Sequence, residues 1–156
     1  MKRIEIGVAL IRNLNERVRW LGKLDQTKKQ VNFVIAKRLE KESWREAVTR
    51  EVAWELEIDR KRDFLVSNMA QLNIQLDMVL PSDSEPTNIA CAFYNVELYR
   101  KSVVEEVDQN ENFIWLTSHD ICNGETASGI ELDWLVYTLI EETDVIQYWE
   151  SDVVDE

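Results

Sequence analysis

Glu51 and Glu55 are the residues whose type and spacing could do chemistry. They lie in the stretch from Glu42 to Ile58, where apolar residues recur with the period of a helix. Advancing about 100° per residue from Trp44, the residues Ala47, Val48, Val52, Trp54, Leu56 and Ile58 define one wide apolar face. Glu51 and Glu55 fall inside it, one turn apart and pointing the same way. Glu42, Glu46 and Glu57 fall on the opposite side, where a carboxylate is simply solvated. An unpaired carboxylate on a buried face is costly, so the pair needs a cation or protons. Magnesium takes one or two protein carboxylates and completes its shell with water and phosphate oxygens, so a hard divalent cation suits the spacing. Arg50, or a basic residue from another segment such as Arg19, Lys23 or Lys37, would neutralise the pair as well, and spacing alone leaves both readings open.

Other reactive side chains are sparse. His119 stands in Thr117-Ser118-His119-Asp120, but neighbours in sequence do not make a catalytic triad, and Ser118 reads as the N-cap of a short helix. One histidine and two cysteines, Cys91 and Cys122, supply neither a Cys/His zinc site nor a disulfide framework. Cys91 sits in an apolar run and reads as core. Of six tryptophans, most are expected in the core, with Trp20 and Trp54 open to stacking on a base.

The chain has 156 residues, which predicts a single domain over 1–156. It holds 4 glycines where average usage would give about 11, and none between Gly22 and Gly124. That excludes the G-x-G-x-x-G and Walker A loops, which need clustered glycines beside phosphate. Net charge is −12, unevenly spread: residues 1–62 hold 16 of the 18 Lys and Arg and 10 of the 30 acids. So acidic a chain is a poor partner for nucleic acid or an anionic membrane. The residues after Met1 form no signal-peptide core, and no apolar run approaches membrane-spanning length; a cytoplasmic setting is expected.

The elements that must position the carboxylates follow from pattern. Ile4, Ile6, Val8 and Leu10 alternate as a half-buried strand, Asn13 to Glu16 reads as a hairpin turn, and Val18 and Trp20 continue a second strand. Val31, Phe33 and Ile35 predict a third strand, and the helix at 42–58 follows. Leu72 to Leu80 alternates cleanly, Asn88 to Leu98 suits a buried strand, and Phe113 to Leu116 is a short one. Residues 129–142 predict a second long helix, with Ile130, Trp134, Leu135 and Leu139 on one side. The tail beyond Glu141 reads as a helix end and frayed terminus, or as a segment that docks a partner. Strands and helices do not alternate, so a mixed sheet covered by helices is expected rather than a doubly wound parallel one.

The stretch Glu42-Ser43-Trp44-Arg45-Glu46-Ala47-Val48-Thr49-Arg50-Glu51-Val52-Ala53-Trp54-Glu55-Leu56-Glu57-Ile58 resembles the central part of a Nudix box, G-x5-E-x7-R-E-U-x-E-E-x-G-U with U aliphatic. Glu42, Arg50, Glu51, Val52, Glu55 and Ile58 match it, and the box spans residues 36–58. Glu111 to Leu116 followed by Ser118 to Ile121 is similar to the strand and short helix late in Nudix domains. The resemblance implies an α/β (α+β) fold, an α/β/α sandwich of a mixed sheet with helices on both faces. It implies a hydrolase that cleaves a diphosphate linkage in a nucleoside-diphosphate derivative with Mg2+ or Mn2+. Glu51 and Glu55 would hold the metal, Arg50 would orient a carboxylate, and Glu42 would pair with Arg50 or support the loop. By location alone, Arg19, Lys23 and Lys37 are candidates to contact phosphate. Glu105, Glu106, Asp108 and Glu111 stand where relatives often add a carboxylate, and relatives are frequently homodimers. Six positions depart from the pattern. Ala36, Ile35, Lys41 and Glu57 replace glycines, Val34 replaces a proline, and Trp54 replaces the middle glutamate. A non-glycine residue at a left-handed position costs about 1–2 kcal/mol, so the loop at Ile35 is expected to take another path. These departures also allow a fold that has lost catalysis and serves as a ligand-binding or protein-interaction module.

Overall fold

A computed structural model describes residues 1–13 and 18–147. Among these residues, nine strands form one mixed sheet and four helices cover its two faces. β1 (Lys2–Asn13) runs through the middle. It pairs parallel with β7 (Pro86–Leu98) and antiparallel with β2 (Arg19–Asp25) and β4 (Val34–Lys37). β2 also pairs with β3 (Gln30–Asn32) and β8 (Phe113–Leu116). β7 carries β5 (Phe64–Val66) and β6 (Leu72–Val79), and β9 (Glu131–Leu132) adds to β3.

The first strand is predicted half-buried but is covered on both faces. Ile6, Val8 and Leu10 join a core with α3 (Ser118–Asn123) and α4 (Trp134–Thr143). Ala9 and Ile11 join a second core with α1 (Trp44–Leu56) and α2 (Lys101–Gln109). A strand under two layers of helix needs apolar residues at consecutive positions, and Val8 to Ile11 supplies them. Gly7 makes the α1 contact close: a Cβ there would meet Val48 Cγ2 at 2.8 Å.

Several expectations need correction. The third strand is two, because β3 pairs with β2 while β4 turns back to β1, the break falling at Phe33. The long helix begins at Trp44, since Ser43 caps it in a reciprocal box with Glu46. Thr117, not Ser118, caps α3: its hydroxyl accepts from the Asp120 N–H, and Ser118 is the first helical residue. The last helix starts at Trp134 behind the Asp133 cap, so residues 129–132 are turn and strand rather than helix. β5 and α2 were not foreseen. The turn read at Asn13 to Glu16 lies, from Leu14 on, outside the described residues, as does the tail from Tyr148, including Trp149.

Candidate functional site

Helix α1 lays Ala47, Val48, Val52 and Leu56 on the sheet. Glu51 and Glu55 stand at the margin of that buried face, their side chains 22% and 19% exposed. Trp54 does not share it. Its ring is 77% exposed, so its predicted place on the apolar face is wrong. The apolar arc closes at Ala47, and Trp54 falls just beyond it on the solvent side.

Arg50 organises the helix entry. Its Nε and one terminal nitrogen donate to the two Glu42 oxygens at 2.9 and 3.0 Å. Its other terminal nitrogen donates to Glu51 at 3.2 Å, and the one shared with Glu42 also donates to the Lys37 carbonyl at 2.9 Å. Glu42 further accepts the Leu39 N–H at 3.0 Å. The guanidinium fork and that amide together hold the Glu42 carboxyl down to about 2. One side chain thus ties β4, the loop before α1 and the first carboxylate of the pair.

Glu51 moves the other way. Burial raises its pKa first, the neighbouring Glu55 carboxylate raises it further, and Arg50 and Lys23 oppose both. Glu55 forms an ion pair with the Lys23 ammonium, which projects from β2. The Lys23 alternative among the three basic residues is therefore realised. Lys37 is exposed and lends its carbonyl to Arg50, and Arg19 donates to the Val18 carbonyl at 2.9 Å. Lys23 and Glu55 line a cleft of about 260 Å³ together with Asp25, Asn32, Val34 and Ile35.

The glycine positions of the box divide in two. Ile35 and Ala36 are ordinary strand residues in β4, paired with Val8 and Gly7. Lys41 and Glu57 do adopt left-handed backbone, at φ 65 and 54°. The chain keeps the bend at those two places without glycine.

The remaining candidates disperse. Glu105, Glu106 and Asp108 lie on α2 and Glu111 on the turn after it, all exposed; Asp108 accepts from the Trp115 indole N–H. Among the described residues, no group of three or more His, Cys, Asp or Glu side chains is placed to hold a metal. The donor set at Glu51 and Glu55 fits one divalent cation, two carboxylates with water or phosphate oxygens filling the rest, and only if Lys23 leaves Glu55. It does not fit a cluster of cations. His119 Nε2 lies 3.0 Å from Asn123 Nδ2, and Asp120 is spent on its cap. Cys91 is buried and its thiol is pushed up to about 12. Trp20 is buried in β2 and borders a second cavity of about 310 Å³ on the α4 side, with Arg12, Gln71, Asn95 and Asp144. Sequence reasoning missed that cavity because its polar residues come from distant strands.

No protein-family model matches this chain, and no curated protein matches it in sequence. Solved structures do. The E. coli dihydroneopterin triphosphate pyrophosphohydrolase superposes with a TM-score of 0.58 at 14% identity, covering 91% of this chain and 95% of that one. The Nudix hydrolase RenU from M. smegmatis gives 0.53 at 9% identity, covering 92% and 88%. The C. elegans Ap4A hydrolase gives 0.53 at 13%, covering 79% and 86%. The fold is Nudix-like. α1 carries the stretch that resembles the box, and the sheet has helices on both faces, as expected for an α/β/α sandwich. No described helix is long and apolar enough to cross a membrane.

Proposed function

We propose that this Nudix-fold chain is a hydrolase that cleaves a diphosphate linkage in a nucleoside-diphosphate derivative, with one divalent cation, Mg2+ or Mn2+. The observation that carries the reading is the carboxylate pair, Glu55 lining the cleft and Glu51 one turn earlier on α1, gripped by Arg50. Structural neighbours that are pyrophosphohydrolases and Nudix hydrolases support it. Glu51 and Glu55 would hold the cation, which when bound neutralises the diphosphate and lowers the barrier to attack by water. Arg50 keeps the Glu51 carboxylate ionised and aimed, and Glu42 keeps Arg50 in place. Lys23 faces the cleft, where its ammonium would meet phosphate oxygens. A cytoplasmic, homodimeric protein that acts on a nucleotide-like molecule and not on nucleic acid completes the proposal.

A second reading, a ligand-binding or protein-interaction module without turnover, is favoured by one observation. The middle glutamate of the box is Trp54, on the solvent side, which leaves two carboxylates with Lys23 already on one of them. Turnover of nucleoside di- and triphosphates, dinucleotide polyphosphates and nucleotide sugars, each with Mg2+ and with Mn2+, separates the two. The hydrolase reading expects at least one diphosphate to be cut and Glu55→Gln to lose more than about a hundredfold in rate. No cleavage across that panel would sink it in favour of the module.

A further inference from the structure

Among the described residues, Lys23 is the basic side chain that meets the pair from the cleft side. Arg50 approaches Glu51 from the loop before α1 and is held there by Glu42 and the Lys37 carbonyl, so it cannot move without undoing that loop. Lys23 is less tied: its side chain is 43% exposed and pairs with Glu55. It also lies close enough to Glu51 to act on that carboxylate through space. β2 holds it from below, with its register fixed opposite Asn32 on one side and Phe113 on the other. A flexible four-carbon stem on a fixed strand can place its ammonium on Glu55 or swing it outward into the cleft. A divalent cation bound by Glu55 and a lysine ammonium on the same oxygens exclude one another, by contact and by like charge.

We propose that Lys23 is a built-in counterion that competes with the divalent cation for Glu55. The inference rests on the cation reading above and adds what that reading lacks, a reason why the free protein neutralises its own site. Cation binding then has to displace the ammonium, and the displaced ammonium faces the cleft in which a phosphate would lie. Free protein should hold a divalent cation weakly, and removing the lysine charge should strengthen the hold.

Mn2+ alone is the probe, titrated into the unmodified protein, Lys23→Gln and Lys23→Arg, and followed by calorimetry and by loss of the free-ion paramagnetic signal. Lys23→Gln is expected to bind at least about tenfold more tightly, and Lys23→Arg no more tightly than the parent. Adding Glu55→Gln to Lys23→Gln should abolish the gain. In the unmodified protein, saturating Mn2+ should raise the reactivity of the Lys23 amine toward an acylating reagent, read by mass spectrometry, while Lys37 stays unchanged as internal control. Equal, measurable affinity in the parent and Lys23→Gln overturns the competition and leaves the cation reading standing. No saturable binding in any variant overturns the cation reading and the competition together.

Discussion

Just before α1 the chain passes through Lys41 at φ 65°, and just after it through Glu57 at φ 54°. Both stand where the Nudix pattern has glycine, and both adopt backbone that glycine adopts without strain. The entry is held by side chains. Arg50 bridges Glu42, Glu51 and the Lys37 carbonyl, Ser43 and Glu46 exchange capping bonds, and the Arg38 guanidinium lies 5.2 Å from the Trp44 ring centre. The exit turn is closed by backbone, with the Glu57 and Ile58 N–H groups both reaching back to the Ala53 carbonyl, and the side chain that anchors the last turn is Glu55, paired with Lys23 from β2. Strain of the same kind is thus bound into the Arg50 network at the entry, whereas at the exit it sits on the exposed Glu57, two residues past Glu55. Substitutions at the entry should disturb stability and chemistry together. Those at Glu57 should move stability only.

The largest effect is expected at Arg50. Arg50→Ala strands the part-buried Glu51 carboxylate and leaves the Lys37 carbonyl without its donor, which should cost about 2 kcal/mol in denaturant unfolding. Activity should fall with it, and full activity in a folded Arg50→Ala protein would break the proposed link between entry and site. Acid should act on the same end. Glu42 ionises near 2 when folded against an ordinary 4.5, so its contribution is complete above pH 4.5 and is lost as pH falls toward 2. Glu42→Gln should flatten the stability profile in that window, and an unchanged acid limb would show that Arg50 does not depend on it. Ser43→Ala removes one half of the capping box and should cost about 1 kcal/mol. At the exit, Glu57→Gly should stabilise by up to about 1 kcal/mol through relief of the left-handed backbone, with cation binding unaltered. A gain there accompanied by changed Mn2+ affinity would mean the two ends are not separable.

The periodic parts of this fold were legible. β6 alternates, α1 keeps its 3.6 period, and each was placed within a few residues. The failures have local causes. α2 is masked in the sequence because Glu105, Glu106 and Asp108 dominate it; its weaker signal is Val103 and Val107, four apart and both buried. β3 and β4 were merged because Val31, Phe33 and Ile35 keep one alternation through a change of partner strand, and pairing is not written in a single strand's pattern. Trp54 was put on the apolar face because a helical wheel shows angle but not where the sheet ends. The Glu51–Glu55 pair was found by the same wheel, since an unexplained charge near a buried face stands out in sequence. Which basic residue of another segment answers it depends on strand register: Arg19, Lys23 and Lys37 are equal in sequence, and the Lys23–Glu55 ion pair from β2 selects among them.

The parallel union of β1 with β7 runs from Lys2 opposite Thr87 to Arg12 opposite Glu97. It is the longest ladder in the protein and joins the beginning of the chain to its middle. While the polypeptide is being made, the first strand emerges early and waits for its partner until residue 98 has left the ribosome. For that interval α1 has the antiparallel β1–β4 pair but not β7 to rest on, and the apolar residues of β1 stay uncovered along one edge. Late closure of a distant pair slows assembly and leaves a sticky strand exposed while it waits. Newly made chains should therefore be most prone to aggregation, and most dependent on chaperones, until that one strand has been delivered.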